Sequence, residues 1–115
     1  MTEFTNDDPS KIASGGIKYD GGKPCVYQGL ILYFPRACLH VADVSTFGAA
    51  KYAWNGWSAV DDGFNRYKNA QYRHALYREM GEQIDPDSKK LHLAHEAWNA
   101  MAALELYLRE ENDRT

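Results

Sequence analysis

Residues 72–99 read YRHALYREMGEQIDPDSKKLHLAHEAWN, and no other stretch constrains the fold as tightly. Gly81 and Pro86 interrupt its helical periodicity, since glycine is the usual residue just past a helix end and proline cannot continue one. Two helices joined by so short a link lie antiparallel. After the break, His92, His95, Glu96 and Asn99 fall at i, i+3, i+4 and i+7, a continuous stripe on one helix. Leu91, Ala94, Trp98 and Met101 flank it on one side, and Leu93, Ala97, Ala100 and Leu104 on the other. A polar row between two apolar rows is expected to be partly buried, where imidazoles and carboxylates need partners or ions.

The remaining helices follow from punctuation. Pro35 suits the first position of a helix over 35–52, burying Leu39, Ala42 and Phe47 and weakened near its end by Gly48. A second helix is expected over 64–80, ending at Gly81, and a third over 90–110, about 30 Å long at ~1.5 Å per residue and capped by Asp87 or Ser88. Residues 26–34 are apolar and expected to be extended or irregular. The reading is all-α: a compact bundle of about three main helices behind an irregular N-terminal segment. Residues 1–16 are expected to form a flexible polar segment and 17–115 a single domain, which suits a chain of 115 residues. Because the third helix is apolar on more than one face, a homodimer or homotetramer is expected.

Charge excludes some functions. The net charge is -3, and 13 basic residues are interleaved with 16 acidic ones with no basic run longer than Lys89-Lys90, so no nucleic-acid partner is expected. Cys25 and Cys38 lack zinc-site spacing, there is no signal-peptide pattern, and no apolar run reaches the ~18 residues of a membrane span. The expected setting is a reduced, cytoplasmic one without membrane contact.

Several residues carry candidate chemistry. Gly21 and Gly22 precede Lys23, a pattern that fits a surface turn and also an approach of backbone N–H groups and an ammonium to an anion. Tyr52, Trp54, Asn55 and Trp57 form an aromatic loop beside Lys51, suited to stacking on a flat ring or to closing the end of the bundle. The pairs Glu79/Glu82 and Glu96/Asn99 are each three apart, so they are expected to converge across the helix pair as an oxygen-rich site for Mg²⁺ or Mn²⁺. His74 fits either this site or the core. His92, His95 and Glu96 also approach the zinc hydrolase pattern H-E-x-x-H, but Asn99 stands where the second histidine belongs and is a poor zinc ligand.

Glu79-x-x-Glu82, thirteen intervening residues and Glu96-x-x-Asn99 resemble the E-x-x-E … E-x-x-D signature of MazG-like all-α NTP pyrophosphohydrolases, with Asn99 replacing the final aspartate. The wider frame resembles the small, often phage-encoded dATP/dGTP diphosphohydrolase branch. That frame comprises residues 18–24, residues 46–52 with Asn55 and Trp57, Arg73-His74, Gly81-Glu82, Asp85, and residues 92–95 with Asn99. The resemblance implies cleavage of a purine deoxynucleoside triphosphate to monophosphate and pyrophosphate. It implies a metal held by Glu79, Glu82, Asp85 and Glu96, with Glu79, Glu82, His95 and Asn99 as the catalytic set. Lys23, Lys51, Tyr52, Asn55, Trp57, Arg73 and His74 are then the candidate substrate residues. A nucleotide sensor or phage adaptor protein that binds without turnover is the alternative from another class.

Overall fold

Backbone hydrogen bonding explains where each element of this chain starts and stops. The computed structural model describes residues 18–113, so the expected N-terminal segment 1–16 lies outside the described residues. The chain divides after Pro35 into two units. In the first, the Lys23 N–H donates to the Asp20 carbonyl at 3.2 Å and Gly22 takes φ 80°, which closes a turn. The segment expected next as extended or irregular holds a π-helical turn, Tyr27–Ile31, with the Leu32 N–H donating to the Tyr27 carbonyl at 2.8 Å. A lone extended segment leaves its backbone groups without partners, whereas this turn satisfies them internally.

From Arg36 on, the second unit holds the three expected long helices, all but the first residue of α1, Pro35–Tyr52, together with α2, Gly63–Glu79, and α3, His92–Asp113. Among the described residues there is no strand, only an isolated antiparallel bridge between Ile84 and Leu91. Contacts of Phe64 with Tyr107, Tyr67 with Trp98 and His74 with His92 show α2 and α3 running antiparallel, as their short link requires. Trp57 completes an aromatic cluster with Tyr67 and Trp98 at 6.1–6.4 Å. The Tyr67 hydroxyl donates to the Trp57 carbonyl and the Trp98 indole N–H to Ser45 Oγ on α1.

Two expectations are corrected here. Leu39 is 72% exposed and Ala42 is also exposed, while Val44 is the buried residue of α1. At ~100° per residue, both lie more than about 130° around the helix from Val44, so one packed face excludes them. The third helix begins at His92 because Lys89 takes a left-handed φ of 64° and Leu91 is held in the bridge. Ser88 does not cap it; its hydroxyl donates to Asp85 Oδ2 and accepts the Lys90 N–H.

The link between α2 and α3 starts with a Schellman turn. The Glu82 N–H donates to the Tyr77 carbonyl, the Gly81 N–H donates to the Arg78 carbonyl, and Gly81 has φ 100°. An alanine there has room for its Cβ but not the backbone freedom. Gly81→Ala should therefore destabilise the protein by about 1–2 kcal/mol. A urea midpoint equal to wild type would contradict this account of the turn.

Candidate functional site

The polar stripe on α3 lies deeper than its spacing alone required. His92 is fully buried, and His95 and Asn99 are exposed by only 7% and 5%. The partners of His92 and His95 come from the Schellman turn, the following link and α2. His92 Nε2 meets Glu82 Oε1 at 2.8 Å, and His92 Nδ1 meets His74 Nδ1 at 2.8 Å. With Glu82 ionised, Nε2 carries the proton; in neutral His92 the other nitrogen therefore accepts from His74. His74 in turn stacks on His95, with centroids 4.3 Å apart and planes 5° from parallel.

His95 is held by a second chain of bonds. Its Nε2 lies 2.6 Å from Ser88 Oγ, which donates its own proton to Asp85 Oδ2 at 2.7 Å. Since the Ser88 hydroxyl proton goes to Asp85, His95 must donate from Nε2 and keep its lone pair on Nδ1. Burial lowers the proton affinity of His95, with Asp85 opposing the shift. Burial, reinforced by His95 and His92, lowers His74 to about 4. Asp85 is pushed up by burial, but the Ser88 hydrogen bonds and the neighbouring imidazoles outweigh this and leave it below its usual value.

The four expected metal-ligating acids do not converge. Glu79 is the last residue of α2 and its side chain is 71% exposed, whereas Glu82 lies beyond the helix end, so the two do not share a helical face. Arg78 donates to both oxygens of Glu96, from Nε at 2.7 Å and Nη2 at 3.0 Å, and from Nη1 to Glu79 at 2.8 Å. That guanidinium holds Glu96 below the usual carboxylate range. Glu82 is committed to His92 and Asp85 to Ser88. Among the described residues no group of three or more His, Cys, Asp or Glu is arranged to hold a metal ion. As arranged in this chain, the acids therefore do not fit a resident divalent cation. Likewise, His92, His95 and Glu96 turn to three different partners and do not form a zinc ligand set.

A cavity of about 950 Å³ opens within the second unit, in the size range of small-molecule sites. Ser45, Phe47 and Tyr52 of α1, Trp54 and Trp57 of the loop, Arg66, Asn69 and Arg73 of α2, and His95, Trp98 and Asn99 of α3 line it, together with Asp61. Ala53, between two of the aromatic residues, takes φ 106°, a strained value for a non-glycine residue of the kind that collects at functional sites. Of the expected substrate residues, Tyr52, Trp57 and Arg73 line the cavity; Lys51, Asn55 and His74 do not. Lys51 is paired with Asp87 at 3.5 Å. Lys23 belongs to the first unit. Of the expected catalytic residues, His95 and Asn99 line the cavity and Glu79 and Glu82 do not.

Several functional candidates were missed from sequence. Arg66, Asn69, Ala70 and Arg73 all line the cavity and fall at i, i+3, i+4 and i+7, so their helical period was a usable signal. Ser88 and Arg78 carried no such signal, because their partners are set by the turn and by the helix pairing.

The neutral histidine stack makes folding pH-dependent. His74 is held near 4 in the folded protein, against 6.5 for a free imidazole, so the unfolded chain binds more protons between those values. Stability should therefore fall as pH drops from about 6.5 towards 4. His74→Gln should flatten this slope in thermal unfolding scans at pH 7 and pH 5, and equal slopes would refute it.

No curated protein and no solved structure matches the chain. A family model described as dATP/dGTP diphosphohydrolase, N-terminal, matches residues 13–114. That match takes in every helix of the described residues, the aromatic and arginine-lined cavity and the histidine network, and the chain accordingly belongs to the dATP/dGTP diphosphohydrolase family.

Proposed function

We propose that the cavity binds a purine deoxynucleoside triphosphate, dGTP or dATP, and that the protein hydrolyses it between the α- and β-phosphates. The carrying observation is the union of an aromatic wall and two arginines in one cavity. Rings such as Trp54 and Trp57 suit a flat base, and guanidinium groups suit phosphate oxygens. In the reaction a water oxygen bonds to the α-phosphorus while the bond to the α–β bridging oxygen breaks, its electron pair leaving with pyrophosphate. Arg66 and Arg73 would stabilise that departing charge. His95, neutral through burial and held by Ser88, is the cavity-lining candidate to accept the proton of the water.

Dependence on Mg²⁺ or Mn²⁺ belongs to this proposal, supported by the family resemblance and by the charge of the triphosphate. The internal pairing of Glu79, Glu82, Asp85 and Glu96 assigns no step to the ion. The same pairing favours a second reading, a nucleotide sensor that binds without turnover. Anion-exchange chromatography of dGTP and dATP reactions with Mg²⁺, with Mn²⁺ and with EDTA separates the two. Monophosphate and pyrophosphate should appear in equal amounts with metal. Arg66→Met and Arg73→Met should each lower kcat/KM by ~10²-fold. Bound but uncleaved nucleotide would select the sensor, and inorganic phosphate as first product would defeat α–β cleavage.

A homodimer or homotetramer is part of the same proposal. Among the described residues the buried apolar core is only Val44, Ala94, Ala102 and Ala103, while Leu93 is 55%, Leu104 58% and Tyr107 52% exposed. Leu93, Ala97, Ala100, Leu104 and Tyr107 alternate by four and three along α3, the seam of a helix that packs on a second helix. Sedimentation should give a dimer or tetramer, and Leu104→Lys should shift it towards monomer. A monomeric wild type at micromolar concentration would rule the seam out as an interface.

A further inference from the structure

We propose that Asn99 Oδ1 is the acceptor through which the cavity recognises an N–H group on the ring edge of its nucleotide, making Asn99 a specificity-determining residue. The inference rests on the nucleotide reading of the cavity and adds to it which ring edge is read.

Asn99 is 5% exposed and lines the cavity beside Trp98 and His95. Its amide Nδ2 donates to the His95 carbonyl at 2.8 Å. A carbonyl only accepts, so the amide orientation is determined: nitrogen towards His95, oxygen away from it. Among the described residues, nothing donates to that oxygen. A buried acceptor without a donor carries a desolvation cost that a ligand N–H removes. An aspartate in this position would set a carboxylate against the His95 carbonyl with no N–H to offer it. The asparagine therefore keeps the helix satisfied while leaving a neutral acceptor for the ligand.

The neighbouring groups agree in kind. Ser45 Oγ accepts the Trp98 indole N–H, which holds one aromatic wall in place next to Asn99. A base stacked among the cavity rings would bring its edge, where exocyclic amines and ring N–H groups project, towards such an acceptor. Sites built to hydrogen-bond a ligand N–H discriminate strongly against an analogue that lacks it, because the buried partner is then left unpaired.

The test uses cleavage-resistant α,β-imido triphosphates of deoxyadenosine, deoxyguanosine and the unsubstituted purine deoxynucleoside, measured by equilibrium dialysis with the full chain. Wild type should bind the amine-bearing purines at least about tenfold more tightly than the bare purine. Asn99→Ala should bring that ratio close to one while leaving the bare-purine affinity nearly unchanged. Equal binding of all three by wild type, or an undiminished ratio in the variant, overturns the assignment while leaving the nucleotide cavity intact. Failure of wild type to bind any of the three overturns the nucleotide reading and this inference with it. If Asn99→Ala loses its helical circular-dichroism signal, the wild-type ratio alone decides.

Discussion

His92 is completely buried, and an imidazole taken out of water leaves two ring nitrogens that must both be satisfied. Glu82 supplies one partner from the Schellman turn and His74 the other from α2. Those two bonds join the end of one helix, the turn after it and the start of the next. The stacked His74–His95 pair and the Ser88–Asp85 chain extend the same network into the link, whose left-handed Lys89 and isolated bridge delay the start of α3 until His92. Polar groups thus occupy the place of a hydrophobic core at this end of the helix pair. Inside such a network an unpartnered polar group is costly, and His92, the most deeply buried member, has both ring nitrogens partnered.

Towards the other end of the helix pair the interior is aromatic. Trp57, Tyr67 and Trp98 pack edge to face or tilted, and Ser45 ties α1 to them through the indole N–H of Trp98. Arg109 lies over the Trp57 ring at 5.2 Å, a cation–π contact that draws the last turns of α3 into the cluster. The cavity lies alongside, lined by these rings, and its two arginines come from a single face of α2. His95 and Asn99 belong to both regions: they are members of the buried stripe and they line the cavity. Rigidity in the histidine network therefore becomes positional accuracy at the site, since supporting bonds fix the rotamers that face a ligand.

Arg78 alters what the acidic residues can do. A guanidinium bonded to both oxygens of Glu96 is a planar, permanently charged partner that a carboxylate does not readily exchange. Glu96 is largely enclosed while Glu79 is exposed, so the same arginine joins an interior charge to the surface. The link is also fastened to α1 from outside, by Lys90 to Asp43 at 2.8 Å and Lys51 to Asp87 at 3.5 Å. Exposed ion pairs of this kind contribute little individually. Their value here is to hold the turn that carries Asp85 and Ser88.

Much of the architecture was legible in the chain itself. Pro35 and Gly81 delimit helices by backbone chemistry that acts locally, and the spacing of His92, His95, Glu96 and Asn99 marked a buried stripe because side chains three and four apart share a helical face. The family frame was readable for the same reason, as a set of residues in order. Partner choice was not. Whether Glu96 would meet a metal or Arg78, and whether Glu82 would sit on α2 or beyond its end, depended on where a left-handed Gly81 turned the chain and on the register of two helices. Register decides contacts between residues far apart in sequence, and no local period encodes it. Ser88 shows the same limit: a residue suited to capping the next helix became the hydroxyl that orients His95, because the tertiary fold brought a buried imidazole within 2.6 Å of it.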